Sequence, residues 1–157
     1  MLEIQIPGRE QPLRLFHLVL DYNGTIARDG LLISGVRDRL EKLSANLEIH
    51  ILTADTFGSV REALSRTPCR LSVIPREEQA QAKLRYVEQL GADKSACMGN
   101  GRNDRLMLGE AALGIAVMQT EGAAREAILA ADVMVFDILD ALDLLLHPLR
   151  LTATLRS

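Results

Sequence analysis

Four parts of this chain have residue types that together handle a phosphoryl group: Asp21, Thr53, Lys83 and the loop Gly99-Asn100-Gly101-Arg102-Asn103-Asp104. A carboxylate such as Asp21 can attack phosphorus and form an acyl phosphate. A hydroxyl such as Thr53, and backbone amides at helix starts, can hold phosphate oxygens. An ammonium such as Lys83 can neutralise the charge that builds on those oxygens. Acidic and carbonyl oxygens with retained waters can hold Mg2+. Taken singly, each group also has an ordinary structural reading. Asp21 is a strand-end residue suited to capping a turn. Thr53 is a strand-end hydroxyl or helix cap, Lys83 a solvated helix face, and Asn103-Asp104 a turn.

A shared site requires elements that bring all four to one edge. The apolar run 16–20 ends on Asp21 and a Gly24-Thr25 turn, as a buried parallel strand does. Such a strand delivers its last side chain to the carboxyl edge of the sheet, where open α/β folds bind ligands. Further strands are expected at 47–52, ending at Thr53, and at 70–74, 95–98, 114–118 and 133–136, the first of the set spanning 15–20. Helical patterns cover 36–43, with Ser34 as cap, then 57–65, 77–90 with Gly91 closing it, 105–110, 123–130 and 137–146. A short terminal helix follows Pro148 over 149–155. Leu2, Ile4 and Ile6 alternate with polar residues as in a short, half-exposed edge strand, and 25–34, with Arg28-Asp29-Gly30 inside it, reads as a hairpin or flap. Strands alternating with helices imply parallel pairing and right-handed crossovers. The fold class expected is α/β, a three-layer Rossmann-like arrangement with a mostly parallel sheet. Short connections make residues 1–157 one expected domain.

Composition narrows the function classes. The chain has 157 residues, 48% apolar and 25% charged, which is ordinary for a globular protein with a substantial core. A net charge of −3, without a basic run or a stacking set of aromatics, argues against nucleic-acid binding. No apolar run approaches ~18 residues, so no membrane span is expected. Residues 1–7 do not resemble a signal peptide, and the cytoplasm is the default location. Cys69 and Cys97, both in apolar strand-like segments, lack metal-ligand spacing and read as buried thiols.

The motifs Asp21-Tyr22-Asn23-Gly24-Thr25, Ile51-Leu52-Thr53, Lys83 and Gly99-Asn100-Gly101-Arg102-Asn103-Asp104 resemble, in order and spacing, the four motifs of the haloacid-dehalogenase-like (HAD) superfamily. They look most like its soluble P-type-ATPase-like branch. The resemblance spans residues 15–146. It implies sheet order 5-4-1-2-3, with a flap after the first motif and no room for a cap domain. It further implies that Asp21 attacks phosphorus, that Thr53 and Gly24 bind the phosphate, and that Lys83 steadies nucleophile and phosphate. Mg2+ is implied at Asp21, the backbone carbonyl of Asn23, Asn100 and Asp104. A phosphorylated small molecule or protein is the implied substrate. An open, capless site makes a homo-oligomer the reasonable expectation. Ion pumping is not expected without a membrane segment.

Two positions depart from the family pattern, each by losing a carboxylate. Asn23 stands where most phosphatases of the family carry the proton-transferring Asp, and an amide cannot exchange that proton at neutral pH. General acid–base help is worth roughly 100- to 10,000-fold. Its loss matters most for poor leaving groups and least for anhydrides or acyl phosphates. P-type ATPases also lack this Asp, having Thr there. Asn100 replaces the usual direct Mg2+ ligand with a neutral amide oxygen, which weakens the metal or moves its load to Asp104. The expectation is therefore a phosphohydrolase working through an aspartyl-phosphate on Asp21 and favouring good leaving groups. The rival is a non-catalytic or regulatory module that keeps a phosphate or Mg2+ site. Tyr22 either contacts the leaving group or packs at the rim. Asp55 and Arg102 fall near the site without an assigned role, His17 reads as a packed strand histidine, and Cys97 as core.

Overall fold

A computed structural model describes residues 1–54 and 59–157. In chain order the strands are β1 (Leu2–Ile4), β2 (Leu13–Leu15), β3 (His17–Asp21), β4 (Ala27–Arg28), β5 (Leu31–Leu32), β6 (Glu48–Thr53), β7 (Arg70–Val73), β8 (Ser95–Gly99), β9 (Leu113–Val117) and β10 (Val133–Val135). The helices are α1 (Val36–Leu43), α2 (Ser59–Ala63), α3 (Gln79–Leu90), α4 (Arg105–Glu110), α5 (Arg125–Ala130), α6 (Ile138–Leu146) and α7 (Pro148–Leu155).

The principal sheet has the order β10-β9-β8-β3-β6-β7, and every pairing in it is parallel. This is the expected α/β Rossmann-like sheet, in the expected 5-4-1-2-3 order, extended at one edge by β10. Both faces of the central strands are covered, which is why those strands read as near-continuous apolar runs. Leu18 and Leu20 face a core shared with Val36, Leu40, Leu142 and Leu145 of α1 and α6. Val19 faces the other way, toward Cys97, Val87, Met107 and Ala127 and hence toward α3, α4 and α5. That alternation makes the three layers.

Several expected boundaries shift for identifiable reasons. The run over 15–20 is two strands, because the chain changes sheets at Phe16. There β2 pairs antiparallel with β1 in a separate two-stranded sheet, while β3 lies between β6 and β8. The expected half-exposed edge strand is thus not at the edge of the principal sheet, and Ile4 and Ile6 are buried. The expected Ser34 cap is replaced by Gly35, whose φ of 88° places it in the left-handed region. The Val36 amide donates to the Ile33 carbonyl, and no side chain caps this helix start. Cys69 is only half-buried and lies before β7, whereas Cys97 is fully buried. Phe57 and Gly58, expected to begin a helix, lie outside the described residues, as does Asp55. The described helix there is α2.

The flap is a hairpin of β4 and β5, turned by Asp29 and Gly30 with φ of 50° and 77°. Two residues of positive φ suit a tight hairpin. Across the sheet from this edge, Arg39 of α1 donates to both carboxylate oxygens of Asp143 on α6, from Nε at 2.8 Å and Nη2 at 2.9 Å. This fork holds the Asp143 carboxyl below its ordinary value of 3.8, chiefly through the hydrogen bond from Arg39. A lowered carboxyl contributes stability above its unfolded-state value and loses it as pH falls through the folded one. Asp143→Asn is therefore expected to cost about 1 kcal/mol at pH 7, as a partly exposed bidentate pair does. In urea denaturation the difference from wild type should begin to shrink at the ordinary carboxylate value and vanish only below the lowered, folded-state one.

Candidate active site

Asp21 closes β3, and Thr53 closes the neighbouring β6, so both reach the same carboxyl edge. The chain turns at once after Asp21. The Tyr22 carbonyl accepts from the amides of Thr25, Ile26 and Ala27, and the buried Tyr22 hydroxyl donates to the Gly30 carbonyl at 3.0 Å. Tyr22 therefore pins the flap from beneath. This tight turn folds Thr25 back onto the strand end, where its hydroxyl stands 3.1 Å from Asp21 Oδ2 and 3.3 Å from Asn100 Oδ1. Thr25, fully buried, was legible only as part of a turn. Its spacing of four from Asp21 is the signal that places it.

Gly24 has φ of 77°, and a Cβ there would lie within 3 Å of Asn100 and of Glu121 Oε2. Its amide donates to the Ala27 carbonyl. With its amide engaged, the position serves the turn and the close packing of Asn100. Gln119 braces the same turn by donating from Nε2 to the carbonyls of Gly24 and Thr25, at 3.2 and 2.5 Å.

Lys83, on α3, is almost wholly buried and is held between two carboxylates. Its Nζ donates to Asp21 Oδ1 at 2.5 Å and to Asp104 Oδ1 at 2.6 Å. The solvated-face reading of Lys83 is excluded by that burial. Asp104 is completely buried, and its Oδ2 accepts from the Gly101 amide at 2.8 Å. A Cβ on Gly99 would lie 2.4 Å from Asp104 Cγ, so glycine at the end of β8 is what lets this carboxylate lie under the loop. Each Asp104 oxygen thus accepts one hydrogen bond within the site. Its evident work is to hold Lys83.

Burial alone would push the Lys83 ammonium toward its neutral form, but the charges of Asp21 and Asp104 outweigh it and hold its pKa above the usual lysine value. The three charges sum to −1. Burial, and then the like charge of Asp21, raise the Asp104 carboxyl well above the ordinary range despite Lys83.

Asp21, Asn23, Thr53 and Asn100 line one cleft of about 460 Å³, joined by Arg76, Gln79 and Asn103 from the far wall. Asn103 donates to Gln79 Oε1 at 2.6 Å, and Gln79 donates to the Arg76 carbonyl at 3.0 Å, which fixes that wall to the start of α3. Asn100 Nδ2 donates to the Gly122 carbonyl at 3.1 Å, turning Oδ1 toward Thr25 and Asp21. The cleft thus offers a carboxylate and an amide oxygen, hard oxygen donors of the kind that suit Mg2+.

No family model matches the chain. The uncharacterized protein MJ0073 of Methanocaldococcus jannaschii is 49% identical over 79 residues, 48% of this chain and 85% of its own length. The chain belongs to the MJ0073 family. A second uncharacterized protein of that organism, MJ0072, is 54% identical over 39 residues, covering 25% of this chain and 89% of its own.

Among solved structures, the 3-deoxy-D-manno-octulosonate 8-phosphate phosphatase of Moraxella catarrhalis superposes with a TM-score of 0.70 at 14% identity, over 85% of this chain and 86% of its own. The cobalt-bound enzyme of that kind from Haemophilus influenzae gives 0.69 at 15%, over 92% and 94%. A zinc-transporting PIB-type ATPase gives 0.61 at 23%, over 78% of this chain and 20% of its own. The MJ0073-family chain therefore has a HAD-like α/β fold. The likeness is to the fold that these proteins share rather than to the P-type-ATPase-like branch in particular. Among the described residues no helix is long and apolar enough to cross a membrane.

A second group of side chains in this family member could coordinate a metal ion. His17, Glu48 and His50 present ligand atoms within 4.8 Å of one another. His17 begins β3, four residues before Asp21, so the group lies about 13 Å away along the strand at about 3.3 Å per residue. His17 is not simply a packed histidine: its Nδ1 stands 3.2 Å from His50 Nε2.

Proposed function

We propose that the protein is an Mg2+-dependent phosphohydrolase that works through an aspartyl-phosphate on Asp21. The observation that carries this reading is the Asp21–Lys83–Asp104 chain of buried charges opening into a cleft that also holds Thr53 and Asn100. A lysine locked between two carboxylates is costly to bury and keeps one of them oriented at the cleft. Asp21 attacks phosphorus, and a bond to it forms as the bond to the leaving oxygen breaks. Water then attacks the same phosphorus, releasing phosphate and restoring the carboxylate.

Thr53 and Lys83 hold the phosphoryl oxygens, and Lys83 offsets their growing charge. Asp21, the Asn23 carbonyl and Asn100 Oδ1 would hold Mg2+, which supplies charge neutralisation at the phosphoryl group when bound. Asn23, exposed at the cleft, gives the departing oxygen no proton, so substrates with good leaving groups are favoured. Arg76 on the far wall suits an anionic leaving portion. In lacking the proton donor, the site is closer in chemistry to the P-type-ATPase-like branch than to the ordinary phosphatases. Self-association would cover the open cleft. A second reading, a regulatory module that binds phosphate or Mg2+ without turnover, draws its support from the same pair, Asn23 and Asn100.

The two readings part on Asp21→Asn. The enzyme reading expects Mg2+-dependent release of phosphate from an aryl phosphate by wild type, and a fall of at least ~1,000-fold in the variant, the order of loss typical for a removed nucleophile. Unchanged release in the variant would sink it. Absence of turnover in wild type, with Mg2+ and phosphate still bound, would favour the module.

A further inference from the structure

We propose that His17, Glu48 and His50 form a binding site for a divalent transition metal of the zinc and cobalt class, separate from the Asp21 cleft. The three come together because β3 and β6 pair in register, with His17 opposite Glu48 and Val19 opposite His50. Residues two apart on a strand share a face, so Glu48 and His50 both turn toward His17. His17 Nδ1 and His50 Nε2 are 3.2 Å apart, close to the roughly 3.3 Å between ligands of a tetrahedral ion with metal–nitrogen bonds of about 2.0–2.1 Å. Glu48 Oε2 is 3.8 Å from each nitrogen. Its side chain is half exposed, and a small rotation brings it to bonding distance.

The surroundings favour ligation. His50 Nδ1 stands 2.9 Å from Tyr86 Oη, which accepts from Ser72 Oγ at 3.1 Å. A metal-bound histidine commonly donates its other N–H to such an oxygen. In the tautomer with its proton on Nδ1, His50 donates to Tyr86 Oη and turns the Nε2 lone pair toward His17. A cleft of about 320 Å³ lined by Phe16, His17 and Glu48 gives an ion a way in.

Two imidazoles and one carboxylate suit zinc or cobalt, whereas Mg2+ prefers oxygen alone. Two cations oppose the site: Arg70, 3.5 Å from Glu48, and Lys94, which lowers His17. Both are exposed and free to swing outward.

The test is titration of Co2+ into the metal-stripped whole chain, read by visible absorption. One equivalent should give the intense bands of a four-coordinate ion, undisturbed by excess Mg2+. His17→Ala and Glu48→Gln, both at the partly exposed edge, should weaken binding by at least ~100-fold, and Tyr86→Phe by about 10- to 100-fold. Asp21→Asn should leave the spectrum unchanged. Absence of a four-coordinate spectrum, or binding that survives both edge variants, would overturn the proposal. Binding lost in Asp21→Asn would do the same, by placing the ion in the cleft.

Discussion

Lys83→Met is expected to cost about 3–5 kcal/mol of stability at pH 7, the range for removing one partner from a buried ion pair. The side chain keeps its length, but Asp21 and Asp104 are left facing each other without a cation. Lys83 is buried, and both of its contacts are at 2.6 Å or less, so no water-exposed rearrangement can supply the missing charge cheaply. The cost should fall as pH is lowered, because burial and the Asp21 charge already raise the Asp104 carboxyl, and it takes up a proton more readily once Lys83 is gone. Asp104→Asn in the Lys83→Met background should recover part of the loss, which a double-mutant cycle measures directly. Urea denaturation showing a loss below ~1 kcal/mol, the scale of an exposed pair, would mean that the three groups are not the buried charge cluster described.

Asn23→Asp is expected to raise kcat/KM for alkyl phosphates by about 100- to 10,000-fold while changing aryl or anhydride substrates far less. The new carboxyl would line the cleft two residues after Asp21, on an exposed position within reach of a leaving oxygen. An alkoxide is a poor leaving group without a proton, and an aryloxide or a phosphate is not. The contrast between substrate classes is therefore the informative quantity. Equal effects on both classes, or none on either, would remove the proposed explanation of the leaving-group preference.

The parts of the fold legible in the sequence are those in which local pattern and tertiary role agree. Residues 17–21, 48–53 and 95–99 read as strands because both their faces are covered, and Asp21 and Thr53 follow from where those strands stop. The break at Phe16 was not legible, since an apolar run does not say when the chain leaves one sheet for another. Gly35 as helix start was hidden for a related reason: its left-handed backbone, and not a side chain, sets the entry angle.

Within the site, Lys83 and Asp104 were legible as participants through motif order. The work of Asp104 was not, because only packing shows that Gly99 and Gly101 seat it under the loop beside Lys83. His17, Glu48 and His50 were invisible as a group. His17 is 31 residues from Glu48 in the chain, and only the parallel register of β3 with β6 makes them neighbours.

The central claim is that the Asp21 carboxylate becomes phosphorylated. Wild-type protein mixed with Mg2+ and an aryl phosphate, quenched in acid and digested, should yield one phosphorylated peptide containing Asp21. That phosphate should be released by hydroxylamine, as an acyl phosphate is, and Asp21→Asn should yield none. Turnover of the substrate with no covalent phosphate on Asp21, or with the same phosphopeptide from Asp21→Asn, would contradict the account.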